Sequence, residues 1–454
     1  MWKIPGVFLL AAALALGASA PSAKVFPFPY AIDDLPNGLR LVTVSTGFPN
    51  VVGLYIVVRT GSRNEVEPGK SGFAHLFEHV MFRGTEKYPP EKWEAVMQAA
   101  GAQTNAYTTD DRTVYHAVFS KEDLESVLTV EGDRFQNLKY SEDVFKTETR
   151  AVLGEYNKNS ANPFQKLHEA IRDTAYTTHT YKHTTMGFVR DIEDMPNQYE
   201  YSLKFFDRWY RPENTIICLA GDVDRKAALA LVKKHFGSWK KGSYRADIPA
   251  EPPQTEARST HVDWATPTLP ILSVSFKAPG YDDETKESAA LDIAAFQAFS
   301  QNSDLYRKLV IEEQKVDVLN GGVADRMDPY LFMIMARVKN AKDVDNVQQQ
   351  ILATCEALRA KPIEAPKLEE IKSHLLYDFA LGMNSTARVA ETVAPYVGLR
   401  RTPETINKRY ALYRTITAED VQAAARKYFV SQGRTIATLS HKPDAKPAAG
   451  GDNR

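Results

Sequence analysis

Two cysteines in 454 residues, a formal charge of -1 and no long apolar run beyond the first two dozen residues limit what this chain can be. Cysteines so few and so far apart exclude a disulfide scaffold. Cys218 falls in Thr215–Ala220, which reads as a buried strand, and Cys355 in the helical pattern Ile351–Cys355. Both are expected to be free and buried, and no histidine stands beside either to form a metal pair. Lys plus Arg number 56 against 57 for Asp plus Glu. That balance gives no electrostatic case for binding nucleic acid or an acidic membrane surface. The glycines form no phosphate-cradling loop; Gly84, Gly101 and the pair Gly321 and Gly322 read as turns. There is no Gly-x-Ser-x-Gly elbow, and neither cysteine has a local nucleophile signature.

The chain opens with the pattern of an export signal. Met1-Trp2-Lys3 is a short basic start, Ile4–Leu16 is apolar and rich in Ala and Leu, and Ala18-Ser19-Ala20 has the small-x-small form of a cleavage site. Residues 1–20 are therefore expected to be a signal peptide. The apolar run is too short and too rich in Ala for a membrane span. No stable membrane anchor is expected, and the periplasm is the simplest destination.

The remainder mixes strands with helices. Leu39–Val44 and Val52–Val58 read as strands, Phe73–Phe82 as a helical stretch, and Glu91–Ala99 as a helix started by Pro89 and Pro90. Thr104–Thr109 and Thr113–Phe119 read as strands meeting at Asp110 and Asp111. Helices are expected over Lys121–Leu138, Ser141–Asn159, Phe164–Ala175, Met195–Trp209 and Arg225–Phe236, with a buried strand at Ile216–Ala220. Residues 241–258 are polar and rich in proline, as a linker is. Beyond them, strands at Leu269–Phe276, Tyr330–Val338 and Arg434–Leu439 accompany helices over Glu287–Phe299, Asp304–Glu313, Asp343–Leu358, Leu368–Leu381, Ser385–Tyr396, Pro403–Arg414 and Ala418–Phe429. In each half, a helix ending in aromatics turns into an apolar strand: Phe205–Tyr210 before Thr215–Ala220, and Lys427–Phe429 before Arg434–Leu439. With similar lengths on either side of the break, this predicts an α+β fold of two similar domains, residues 30–240 and 259–441. Each is expected to be a largely antiparallel sheet with helices packed on one face. Residues 442–454 read as a flexible tail.

The chemistry concentrates at His75-Leu76-Phe77-Glu78-His79. On a helix, His75 and His79 stand one above the other and can bind one zinc ion. Glu78 points toward the same metal without needing to ligate it. There it can take a proton from a zinc-bound water and pass it to the leaving amine. Two histidines leave a tetrahedral site one protein ligand short. Glu148 and Glu155, two turns apart on one face of the helix that starts at Ser141, are the candidates. The residues permit either as the ligand, with the other orienting a histidine or the water. His179 and His183 also lie four apart, but in a polar, loop-like stretch with no adjacent carboxylate.

These segments resemble the pitrilysin and mitochondrial-processing-peptidase family of zinc metallopeptidases, in its short, 450-residue bacterial form. The motifs are Gly72–Gly84 around the histidines, Gly101–Tyr115 with Asn105-Ala106-Tyr107, Glu148–Glu155, and Tyr210-Arg211-Pro212-Glu213-Asn214-Thr215 leading to Gly221-Asp222. The resemblance implies zinc-dependent cleavage of oligopeptides or unfolded segments. It implies that His75, His79 and Glu155 ligate one Zn2+ per chain, that Glu78 is the general base and that Glu148 is a supporting carboxylate. It also implies that Asn105, Ala106 and Tyr107 line the cleft, where a substrate peptide adds as a strand to a sheet edge. The second half has no His-x-x-Glu-His, so one site per chain is expected. Two such chains close around a chamber in this family, which implies a homodimer or a heterodimer with a related, inactive subunit. The alternative is that this chain is itself a noncatalytic, peptide-binding or supporting subunit.

Overall fold

Strands β1 (Tyr30–Asp34), β2 (Arg40–Ser45) and β3 (Val51–Val58) precede helices α1 (Phe73–Val80) and α2 (Pro90–Ala99) in the computed structural model, which describes residues 24–443. The expected signal peptide lies outside the described residues, as does the tail from residue 444. The hairpin of β4 (Gln103–Thr108) and β5 (Thr113–Ser120) leads into α3 (Leu124–Asn137), α4 (Glu142–Ser160) and α5 (Pro163–Ala175). Then come α6 (Val189–Asp194), α7 (Tyr199–Trp209), β6 (Thr215–Gly221) and α8 (Arg225–Phe236). The strands form a six-stranded sheet in the order β1-β2-β6-β3-β5-β4, antiparallel throughout except for β2 beside β6.

The second half repeats this plan. It runs β7 (Arg258–Trp264), β8 (Ile271–Ala278), α9 (Glu287–Phe299), the short α10 (Asp304–Tyr306), β9 (Val316–Val323) and β10 (Tyr330–Val338). Helices α11 (Val344–Ala360), α12 (Ala365–Gly382), α13 (Thr386–Arg400), α14 (Glu404–Thr415) and α15 (Ala418–Tyr428) precede β11 (Arg434–His441). The five-stranded order β7-β11-β8-β10-β9, with β7 parallel to β11 and the rest antiparallel, is the order of the first sheet without β1. The α+β class and the duplication expected from the sequence are both present.

Three edge strands, β1, β7 and β9, were not anticipated. Each is polar or glycine-containing, because an edge strand buries less and pairs on one side only. Gly321 and Gly322, expected in a turn, lie in β9. A Cβ on Gly321 would stand 2.8 Å from the Phe299 ring, so the strand can lie this close to α9 only without a side chain there. The helix expected over Asp304–Glu313 is one short α-turn continued as a π-helix over Arg307–Glu312.

β6 is buried at every position and β3 at all but its first. Such strands need cover on both faces. On one face, Leu54, Ile56, Ile217 and Leu219 pack with Phe73, Leu76 and Phe77 of α1. On the other, Val57, Ile216 and Cys218 meet Val389, Val393 and Val397 of α13, a helix from the second half. The exchange is mutual: Leu167 and Ile171 of α5 pack on Trp264, Ile271, Ala437 and Leu439 of the second sheet. Cys218 and Cys355 are free and buried, and burial pushes each thiol up to about 12.

Charge ties the halves together at the β4–β5 turn. Asp110, fully buried, accepts hydrogen bonds from Arg172 (2.7 Å), Arg326 (2.6 Å) and Ser62 (3.0 Å). Burial raises its pKa, but the charges and hydrogen bonds of Arg172 and Arg326 more than reverse this, leaving the carboxyl well below its ordinary range. Asp111 accepts from the Tyr181 hydroxyl (2.7 Å) and the Met327 N–H (2.9 Å). Residues 241–257 contain no helix or strand, yet they are anchored: Glu251 accepts the backbone N–H groups of Thr177, Thr178 and His179. Removing one partner of a buried ion pair costs about 3–5 kcal/mol. Asp110→Ala is expected to lose that much in urea unfolding at neutral pH. Because the folded-state pKa is depressed, the wild-type contribution fades as pH falls below the ordinary aspartate value of 3.8, and the gap to the variant narrows.

Candidate metal centre

Helix α1 is amphipathic in a way that divides its duties. Phe73, Leu76, Phe77 and Val80 are buried in the core, while His75, Glu78 and His79 emerge on the side facing α4 and β4. Its start is set by two devices. Gly72 has φ 93, a conformation open to glycine, and a Cβ there would lie 2.7 Å from the Met186 carbonyl. Glu65, fully buried, accepts the N–H groups of Gly72 (2.8 Å) and Ala74 (2.7 Å), satisfying two donors at the helix N-terminus. Burial raises the Glu65 pKa to about 8 against the pull of those two amides.

Helix α4 supplies the carboxylates. Ser141 caps it by accepting the Val144 N–H, and Phe145, Thr149, Val152 and Tyr156 bury one side. Glu155 Oε2 lies 3.6 Å from His75 Nε2 and 3.4 Å from His79 Nε2. A tetrahedral zinc ion with bonds near 2.0–2.1 Å separates its ligand atoms by about 3.4 Å, so the three atoms fit one such ion. Among the described residues they form the one group able to hold a metal this way. Burial, then the neighbouring His79, lowers the His75 pKa to about 4, leaving a neutral imidazole available as a ligand at pH 7.

The other sequence-predicted residues surround this group. Glu148 is buried; its Oε2 lies 3.9 Å from His79 Nδ1, and its Oε1 accepts from Arg83 Nε at 2.7 Å. Glu78 accepts the Thr108 hydroxyl at 2.6 Å. Burial raises its pKa, while the Thr108 hydrogen bond and His79 oppose the rise. Asn105, Ala106 and Tyr107 lie on β4, the open edge of the first sheet, and Asn105 Oδ1 accepts the Ala106 N–H at 2.8 Å. Tyr107 packs with the cluster on the α13 face, away from the metal helix, so only its main chain belongs to the edge beside the site. His179 and His183 do not meet: His179 faces Asp328 and the Tyr181 N–H, and His183 Nδ1 bonds the Thr184 carbonyl. Sequence reasoning missed Glu65, Arg83 and Thr108. Arg83 and Thr108 stand inside the quoted motifs, whereas nothing local marks Glu65.

Two imidazoles and a carboxylate on two helices, with a free glutamate between the imidazoles, define a zinc metalloendopeptidase site on a duplicated α+β scaffold. The insulinase family, peptidase family M16, matches residues 40–188, and the peptidase M16 inactive domain matches residues 198–375. The chain belongs to this family. It is 28% identical over 434 residues to the zinc protease PqqE of Helicobacter pylori, covering 93% of this chain and 95% of that one. The crystal structure of a protease from Helicobacter pylori superposes with a TM-score of 0.85 at 27% identity, over 91% of this chain and 99% of that chain. The periplasmic protease PqqL from Escherichia coli shares the fold at a TM-score of 0.74 and 19% identity, over 92% of this chain and 49% of that chain. The wild-type chain is expected to hold one zinc ion by atomic absorption, and His79→Ala to hold none after dialysis.

Proposed function

We propose that this chain cleaves oligopeptides or unfolded segments, with Glu78 as the general base, Glu148 as a support for His79 and the β4 edge at Asn105–Tyr107 as the substrate platform. The observation that carries the reading is the unligated Glu78 carboxylate beside a complete His75–His79–Glu155 ligand set. Zinc bound there supplies Lewis acidity, acidifying a water and polarising the scissile carbonyl. Glu78 accepts the proton of the attacking water and returns it to the departing amine nitrogen. Glu148, held by Arg83, presents its second oxygen to the Nδ1 side of His79 and so favours the ring orientation that turns Nε2 to the metal. The β4 edge offers main-chain groups to an extended peptide, which selects for shape more than for side chains.

Residues 30–240 serve as the catalytic unit and 259–441 as its metal-free companion, joined by 241–258. The His79 and Glu155 side chains are 26% and 39% exposed, so one chain leaves the metal open to water. A second chain, identical or an inactive relative, completes the chamber. Residues 1–20 direct export to the periplasm, where the similarly folded Escherichia coli protease works. Among the described residues, no helix is long and apolar enough to cross a membrane.

Glu78→Gln is expected to keep stoichiometric zinc while its kcat on unstructured peptides falls by at least about 100-fold, the lower range for lost general-base catalysis. Undiminished cleavage by that variant would refute the role of Glu78. Light scattering on the active protein is expected to give twice the chain mass; activity confined to a monomer would refute the chamber.

A further inference from the structure

Glu78 lies between two proposed zinc ligands in sequence, on the helix turn that carries both. A carboxylate so placed is within reach of the ion, and direct ligation would close the position a water must occupy. Its own helix does not hold it back. The contact that does is made by Thr108, the last residue of β4, whose hydroxyl donates to Glu78 Oε2 at 2.6 Å. The neighbouring hydroxyl cannot take over: Thr113 Oγ1 donates to the Thr60 carbonyl at 3.0 Å and lies 3.5 Å from Thr108 Oγ1. Oε2 is thereby occupied, and the other oxygen is left for the water.

The donor belongs to the strand that carries Asn105, Ala106 and Tyr107. A peptide paired to the β4 edge and the base that activates its attacking water thus take their positions from one strand. We propose that Thr108 is a positioning residue, which keeps the Glu78 carboxylate off the metal and in register with the peptide backbone held by β4. This rests on the zinc endopeptidase reading above.

The test uses the zinc-loaded full chain with Thr108→Val, which keeps the branched shape and removes the hydroxyl, and Thr108→Ser, which keeps the hydroxyl. A hydrogen bond to a charged group is worth enough to change a rate about 10- to 100-fold. Thr108→Val is expected to lose that factor in kcat, with KM within about twofold of wild type, because the bond acts on the base and not on peptide affinity. Chelator competition is expected to show zinc held at least as tightly as in wild type. Thr108→Ser is expected to recover kcat to within about threefold, since the donor is restored. Adding Thr108→Val to Glu78→Gln should cost little more, because both act through one carboxylate. The proposal is overturned if Thr108→Val keeps wild-type kcat, if Thr108→Ser is as impaired as Thr108→Val, or if Thr108→Val loses zinc. A wild-type chain that cleaves no peptide when zinc-loaded would instead sink the underlying reading.

Discussion

Both faces of each sheet carry apolar side chains, and neither half of the chain covers its own sheet completely. In the first sheet, α1 and its neighbours bury one face, and the opposite face takes most of its cover from α13, which begins 165 residues after β6 ends (Gly221 to Thr386). In the second, α5 supplies the missing layer. Burying a valine side chain is worth roughly 1.5–3 kcal/mol, so Val389, Val393 and Val397 together approach the net stability of a whole domain. The Asp110 cluster then fixes how the halves meet, since ion pairs specify geometry where apolar contacts specify mainly burial. Every distance at the metal centre depends on this frame, because β4 and β5 share the turn that holds Asp110.

The centre itself is a problem of crowded carboxylates. Glu78, Glu148 and Glu155 converge on two imidazoles, and each is held differently. Glu148 is paired with Arg83, Glu78 is bound by Thr108, and Glu155 lies between the imidazoles where a divalent cation would balance its charge. Three similar groups thus have three environments, and environment sets what each can do. A fourth acidic side chain, Glu65, acts from behind by accepting two N–H groups at the start of α1. It has no access to substrate, yet it helps fix the rotation of the helix bearing both histidines.

Much of this was legible in the sequence because helical spacing is rigid. His75, Glu78 and His79 are placed by the geometry of a single turn. Glu148 and Glu155 were legible as a pair but not in their order of duty; only the packing of α4 across α1 decides which oxygen reaches the Nε2 atoms. Interior strands such as β3, β6 and β10 announced themselves by continuous or alternating apolar residues. Edge strands did not: in β7, Arg258-Ser259-Thr260-His261 alternates between half-buried and exposed positions without an apolar residue to mark the buried ones. The exchange of α5 and α13 was invisible, since an amphipathic helix shows that it has a buried face but not which sheet will bury it. Glu65 was invisible for the same reason, as its partners are chosen by a loop.

The exchanged helix also bears on how such a chain can change over generations. Among the described residues, the second half contributes none of the metal-binding group, and a half without chemistry is ordinarily free to erode or be lost. Here it carries the roof of the first sheet, so its deletion would expose the floor on which the histidines stand. Selection can relax on almost any surface of the silent copy, but not on α13. Inheritance of the catalytic half therefore requires inheritance of its companion.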